Sequence, residues 1–195
     1  MKYKLAILVT SLSLVAGCAT YYNVAPYQAS AENAETLKSY NLKSVSVGTF
    51  QANEGLIVRR HPGTQKKPGT ASIRCPIIDL NGNSWHTTVS PSFEAYIEKA
   101  FIAELTRAGI YDASSPLVLT GELVQINPGV PHYRKWVITL TLTNARNESF
   151  TTVSEFRSEA VAFSGCEVSS QHFLPAVQRL ITDVIEDKKF REIAN

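Results

Sequence analysis

At 195 residues the chain suits one domain with a dry core and is short for two. Its 19 Lys and Arg stand against 17 Asp and Glu, and 44% of its residues are hydrophobic. That balance excludes a disordered acidic chain and a strongly basic nucleic-acid binder.

Met1, Lys2, Tyr3 and Lys4 lead into an apolar run from Leu5 to Val15, broken only by Thr10, Ser11 and Ser13. This is the basic start and short apolar stretch of an export signal. It falls short of the roughly 20 apolar residues that span a bilayer. The run closes in Leu14-Val15-Ala16-Gly17-Cys18, which resembles the lipobox of bacterial lipoproteins. The resemblance implies that residues 1–17 are a signal peptide cut before Cys18, and that Cys18 carries the lipid that holds the chain on a membrane. Ala19 is not the aspartate that retains such lipoproteins in the inner membrane, so the outer membrane, facing the periplasm, is expected. Lys2 and Lys4 leave with the signal, so 17 basic residues then face 17 acidic ones. A neutral mature chain gives no reason to expect a nucleic-acid partner.

With Cys18 acylated, Cys75 and Cys166 remain in an oxidising compartment. A single disulfide closing a loop of about 90 residues is the natural reading, with two free thiols as the alternative. No CxxC motif marks a redox site.

Residues 18–41 are small, polar and weakly patterned, as in a flexible tether. The folded periplasmic domain is expected over residues 42–195. A first strand runs from Leu42 to Phe50, where Gly48 marks a bulge or the strand's end. Residues 51–74 have loop composition and hold the basic cluster Arg59, Arg60, His61, Lys66, Lys67 and Arg74. Pro76–Leu80 and Ser84–Val89 flank Asn81-Gly82, a hairpin signal because both central positions favour positive φ.

Ser90 as N-cap and Pro91 at the first helical position open the clearest helix, and Gly109 stands just past its end. Its apolar stripe is Phe93, Ile97, Ala100, Phe101, Leu105 and Ala108, with Glu94, Glu98, Lys99 and Arg107 off the stripe. Strands follow at Leu117–Ile126, Trp136–Thr143 and Phe150–Phe163, with Trp136 expected in the core. A second helix begins near Pro175, with Val177, Leu180, Ile181, Val184 and Ile185 at helical spacing.

That order predicts an α+β fold, a two-layer βαβββα-like sandwich. Its sheet is largely antiparallel with two helices on one face, and a basic loop and hairpin are inserted. The other sheet face is rich in Thr and Ser. Phe93–Phe101 running into Glu104–Gly109, Leu119-Thr120-Gly121-Glu122-Leu123 and the final helix ending near Phe190 resemble YajG-type lipoproteins and, by fold, the LPS-assembly lipoprotein of the outer-membrane translocon. The resemblance spans residues 42–193 and implies a packing scaffold without implying an activity. The basic loop and the Cys75 and Cys166 pair depart from the LPS-assembly lipoprotein.

No Gly-x-Ser-x-Gly or Ser-x-x-Lys motif occurs. His61, His86, His132 and His172 are scattered without metal-ligand spacing. Asp79-Leu80-Asn81-Gly82-Asn83 starts like a calcium loop, but Ser90 stands where the bidentate glutamate belongs. No enzyme activity, metal or cofactor is therefore expected. Arg59, Arg60, Lys66, Lys67 and Arg74 could meet phosphates of lipopolysaccharide, anionic lipid headgroups or an acidic protein surface. The expected function is a non-enzymatic accessory or adaptor in an envelope assembly or transport system, with an envelope protein as partner. The alternative is a module binding lipopolysaccharide or anionic lipid through loop 59–74.

Overall fold

The computed structural model describes residues 19–58, 71–78, 84–89, 92–127, 135–157 and 165–195. In chain order the elements are β1 (Ala19–Asn23), α1 (Ala31–Ser39), β2 (Ser46–Val58), β3 (Ala71–Ile78), β4 (Ser84–Val89), α2 (Phe93–Ala108), β5 (Val118–Asn127), β6 (Lys135–Asn144), β7 (Ser149–Arg157), α3 (Gly165–Glu186) and α4 (Lys188–Ile193).

Alternation in β6 organises the main sheet. Trp136, Ile138, Leu140 and Leu142 are buried on one face, while Thr141 and Thr143 turn toward solvent on the other. The following link is short because Asn144 builds its own turn. Its Oδ1 accepts from the N–H of Arg146 (2.9 Å) and of Glu148 (3.0 Å), and Asn147 takes φ 62°. β7 therefore returns antiparallel, with Leu142 opposite Phe150 and Trp136 opposite Phe156. The four strands lie in the order β2-β5-β6-β7. β2 runs parallel to β5, and the long crossover that parallel pairing requires is supplied by the stretch through β3, β4 and α2.

α2 packs on β2 and β5, and α3 packs on β6 and β7, so the helices cover one face. The dry interior is made by Ile97, Phe101 and Leu105 from α2, by Val177, Leu180 and Ile181 from α3, and by Leu119, Leu123 and Leu140 from the sheet. Each of these side chains contributes about 1.5–3 kcal/mol by leaving water. Phe173 sits where the layers meet, its ring centroid 5.5 Å from Phe93, 5.2 Å from Tyr96 and 5.1 Å from Trp136. This is the α+β sandwich the sequence predicts. A second, three-stranded sheet, β1-β4-β3, packs against α3. In it β3 and β4 pair antiparallel from Ala71 opposite Val89 to Ile78 opposite Ser84. These are the arms of the expected hairpin, and its Asn81-Gly82 turn lies outside the described residues.

Several boundaries differ from expectation. Residues 24–41 are not a free tether, because α1 packs on α2 and α3 and buries Ala34 and Leu37. Tyr40 completes the attachment, its hydroxyl donating to the Ile185 carbonyl at 3.1 Å while Arg191 lies 4.3 Å over its ring. The stretch 51–74 is not all loop either, since β2 runs on to Val58 and β3 starts at Ala71. Pairing with β5 holds β2 together through two breaks of register, the first of them across Gly48. The N-cap of α2 is Ser92 and not Ser90, its Oγ accepting from the Ala95 N–H at 3.3 Å. Gly109 closes that helix with φ 75°, as expected. α3 begins at Gly165, ahead of Pro175, which it carries in its interior.

Gly121 of β5 faces the ring of Phe50, its partner across β2, and a Cβ there would stand 2.6–2.7 Å from three ring carbons. Phe50 is buried against Phe101 and has little room to move. Gly121→Ala is accordingly expected to destabilise the domain by about 1–3 kcal/mol in urea titration.

Candidate functional site

α2 carries one carboxylate inside its apolar stripe. Glu104 lies one turn past Ala100 and Phe101, beside Leu105, and has no exposed surface. The Tyr27 hydroxyl donates to its Oε1 at 2.5 Å and the Asn33 amide does so at 3.2 Å. The Ser30 backbone N–H reaches both carboxylate oxygens, at 3.0 and 3.2 Å. Asn33 passes the connection on, its Oδ1 accepting from Thr182 of α3 at 2.9 Å. Two more bonds fasten the same stretch: Tyr96 donates to the Ala25 carbonyl (2.8 Å) and Gln178 to the Gln28 carbonyl (3.2 Å). Residues 25–33 are thereby stitched to both major helices.

Burial, and then the hydrogen bond to Glu104, push the Tyr27 phenol far above its ordinary range. Burial pushes Tyr96 up to about 12. A carboxylate sealed in this way and engaged by three donor residues positions chain and does not face a substrate. Beside it, Val24, Pro26, Tyr27, Tyr96, Lys99 and Ala103 line a surface cleft of about 450 Å³.

The second feature is the sheet face that the helices leave uncovered. Thr120, Glu122, Thr151, Val153 and Glu155 are exposed there, and Val153, 62% exposed, is the large hydrophobic residue that stands out. The hydroxyls of Thr141 and Thr151 meet across β6 and β7 at 2.8 Å, and Thr120 donates to the Thr143 carbonyl at 3.2 Å. Charges on this face neutralise one another. Glu155 takes both Lys135 and, at 3.7 Å, Arg157. The bond from Lys135 holds the Glu155 carboxyl below its ordinary range.

The residues singled out from sequence fall elsewhere. Cys18, Arg59, Arg60, Lys66 and Lys67 lie outside the described residues, as do residues 1–17, the expected signal peptide. Arg74 and Cys75 belong to β3, and Cys166 is the second residue of α3, a helix that packs on β3. Sequence reasoning missed Glu104 and its partners Tyr27, Ser30 and Asn33. The available signal was a carboxylate at a stripe position, seven residues after Ile97. Among the described residues, no three His, Cys, Asp or Glu gather to hold a metal, and no helix is long and apolar enough to cross a membrane.

No protein-family model and no curated protein matches the chain. Among solved structures it is similar to the crystal structure of a Xanthomonas campestris protein of family DUF330. The two are 11% identical over 85% of this chain and 92% of that one, with a TM-score of 0.47. A crystal structure of an uncharacterised protein is similar to the same degree, 11% identical over 91% of this chain and 99% of that one, with a TM-score of 0.47.

Proposed function

We propose that the chain is a lipid-anchored envelope lipoprotein that works as a non-enzymatic adaptor, docking a protein of an assembly or transport system on the open face of its main sheet. The observation that carries this reading is the chemistry of that face: neutral threonine hydroxyls around exposed Val153, with Glu155 matched by Lys135 and Arg157. Such a surface offers hydrogen bonds and an apolar centre with little net charge. It suits a neutral protein surface, whereas polyphosphate ligands need uncompensated cations. The lipobox ending at Cys18 supports the anchor, and the enclosure of Glu104 supports a scaffold.

The test is photo-cross-linking in cells, with the reactive amino acid at position 153 and, as control, at Glu35 on the exposed side of α1. One stoichiometric envelope-protein adduct from position 153, absent from position 35, is the expected outcome. Adducts to lipid or lipopolysaccharide alone would overturn the adaptor and favour the basic loop 59–74 as the working part.

A further inference from the structure

We infer that the lipid on Cys18 seats this domain directly on the bilayer, with the β3–β4 end of the three-stranded sheet against the phospholipid headgroups. The inference rests on the lipobox reading and deepens it, since a lipoprotein is ordinarily expected to hang from its anchor on a flexible spacer. Here the residue after the cysteine is already in a strand. β1 starts at Ala19 and pairs in parallel with β4, Ala19 opposite Ser84 and Asn23 opposite Thr88. One peptide step, about 3.8 Å between Cα atoms, separates Ala19 from the acylated residue.

The same register fixes which part of the fold lies nearest the anchor. Ser84 is also the partner of Ile78, so Ala19, Ser84 and Ile78 stand in one row across the sheet. That row is the end where β3 gives way to β4. Ala71, where the basic segment 59–70 rejoins the fold, pairs with Val89 at the opposite end of β4, about 17 Å further along. The membrane-proximal end of the sheet is therefore the one marked by Ile78 and Ser84, and Ala71 and Val89 mark the far end.

The inner end of β1 gives no freedom either. Within seven residues of Asn23 the backbone has been taken up by Tyr96 at Ala25, by Gln178 at Gln28 and by Glu104 at Ser30. The whole path from the acyl chains to the core is a strand about 13 Å long followed by a stitched segment. A flexible tether of about 24 residues would instead let the domain wander over roughly 27 Å. Seating fixes the height and tilt at which the open face of the main sheet meets a partner.

The experiment uses the full lipidated protein in vesicles of phosphatidylethanolamine and phosphatidylglycerol carrying an acceptor dye in the headgroups. A short-range fluorescent donor amino acid is placed at residue 84, the register partner of Ala19, or at residue 153. Seating predicts severalfold greater energy transfer from position 84 than from position 153. A ten-residue Gly-Ser insert after Cys18 should abolish most of that difference. Equal transfer from both positions, unchanged by the insert, would overturn the seat while leaving lipidation intact. Protein that fails to float with the vesicles would overturn the lipidation reading itself, and flotation of the unlabelled chain reveals that separately.

Discussion

Glu104→Ala is expected to destabilise the domain by about 3–5 kcal/mol, because it removes the acceptor shared by three buried donors. The variant strands the Tyr27 hydroxyl, the Ser30 N–H and the Asn33 amide without their acceptor, in a region with no exposed surface at position 104. Each stranded donor carries a desolvation penalty of about 1–3 kcal/mol, partly relieved if the segment peels away to water. Peeling is itself a readout. Amide exchange should accelerate across residues 24–40 in the variant while β5–β7 stay protected. Glu104→Gln keeps an acceptor oxygen and should lose less, and Tyr27→Phe about 1–2 kcal/mol. A urea midpoint for Glu104→Ala within error of the parent would sink the idea that this carboxylate holds the segment.

The tyrosines add a pH signature to the same seam. Tyr27 and Tyr96 both hold their protons more tightly folded than unfolded, where the phenol loses its proton near pH 10. Their contribution is therefore fully present below about pH 10 and is lost as pH rises toward the folded values. Alkaline unfolding should begin above pH 10, and stability should fall less steeply with pH in Tyr27→Phe.

The main layers were legible because their signals are local. β6 alternates apolar and hydroxyl side chains along its length, and α2 carries a stripe with a glycine stop at Gly109. The N-terminal segment was illegible for the opposite reason. α1 offers only Ala34 and Leu37 to the core, and the bonds that dock it reach across 71 to 77 positions of sequence to Glu104. No window of residues around position 30 contains that partner. The cap of α2 shows a finer limit. Ser90 and Ser92 are both good caps by composition, and only the backbone, extended at Ser92 with φ −160° and ψ 170°, decides between them. Threonines on the outer face of the sheet were foreseeable from alternation, whereas the mutual neutralisation of Lys135, Glu155 and Arg157 depends on the register of β6 against β7.

Reduction, or Cys75→Ser, is expected to lower stability by about 4–5 kcal/mol, the chain-entropy value for a bridge closing some 90 residues, less any strain in the native bond. The pairing of Cys75 with Cys166 comes from the sequence, and the architecture says where its loss should be felt. Among the described residues, the three-stranded sheet packs on α3 and is continued by the segment after β1, which is bonded to Tyr96 and Glu104. Cys75 lies on a strand of that sheet and Cys166 at the start of α3. A bridge between them would fasten the small sheet to the helix that also packs on β6 and β7. Its removal should therefore speed amide exchange in β3 and β4 first, before the main sheet. Mass analysis of exported protein should find no alkylatable thiol before reduction and two after it. Two thiols found in the unreduced protein would remove the bridge, leaving the Glu104 seam and the face of α3 to hold the three-stranded sheet. Glu104→Ala would then speed exchange in β3 and β4 as well as in α1, though less, since α3 still covers them, whereas with the bridge intact it should leave their exchange close to that of the parent.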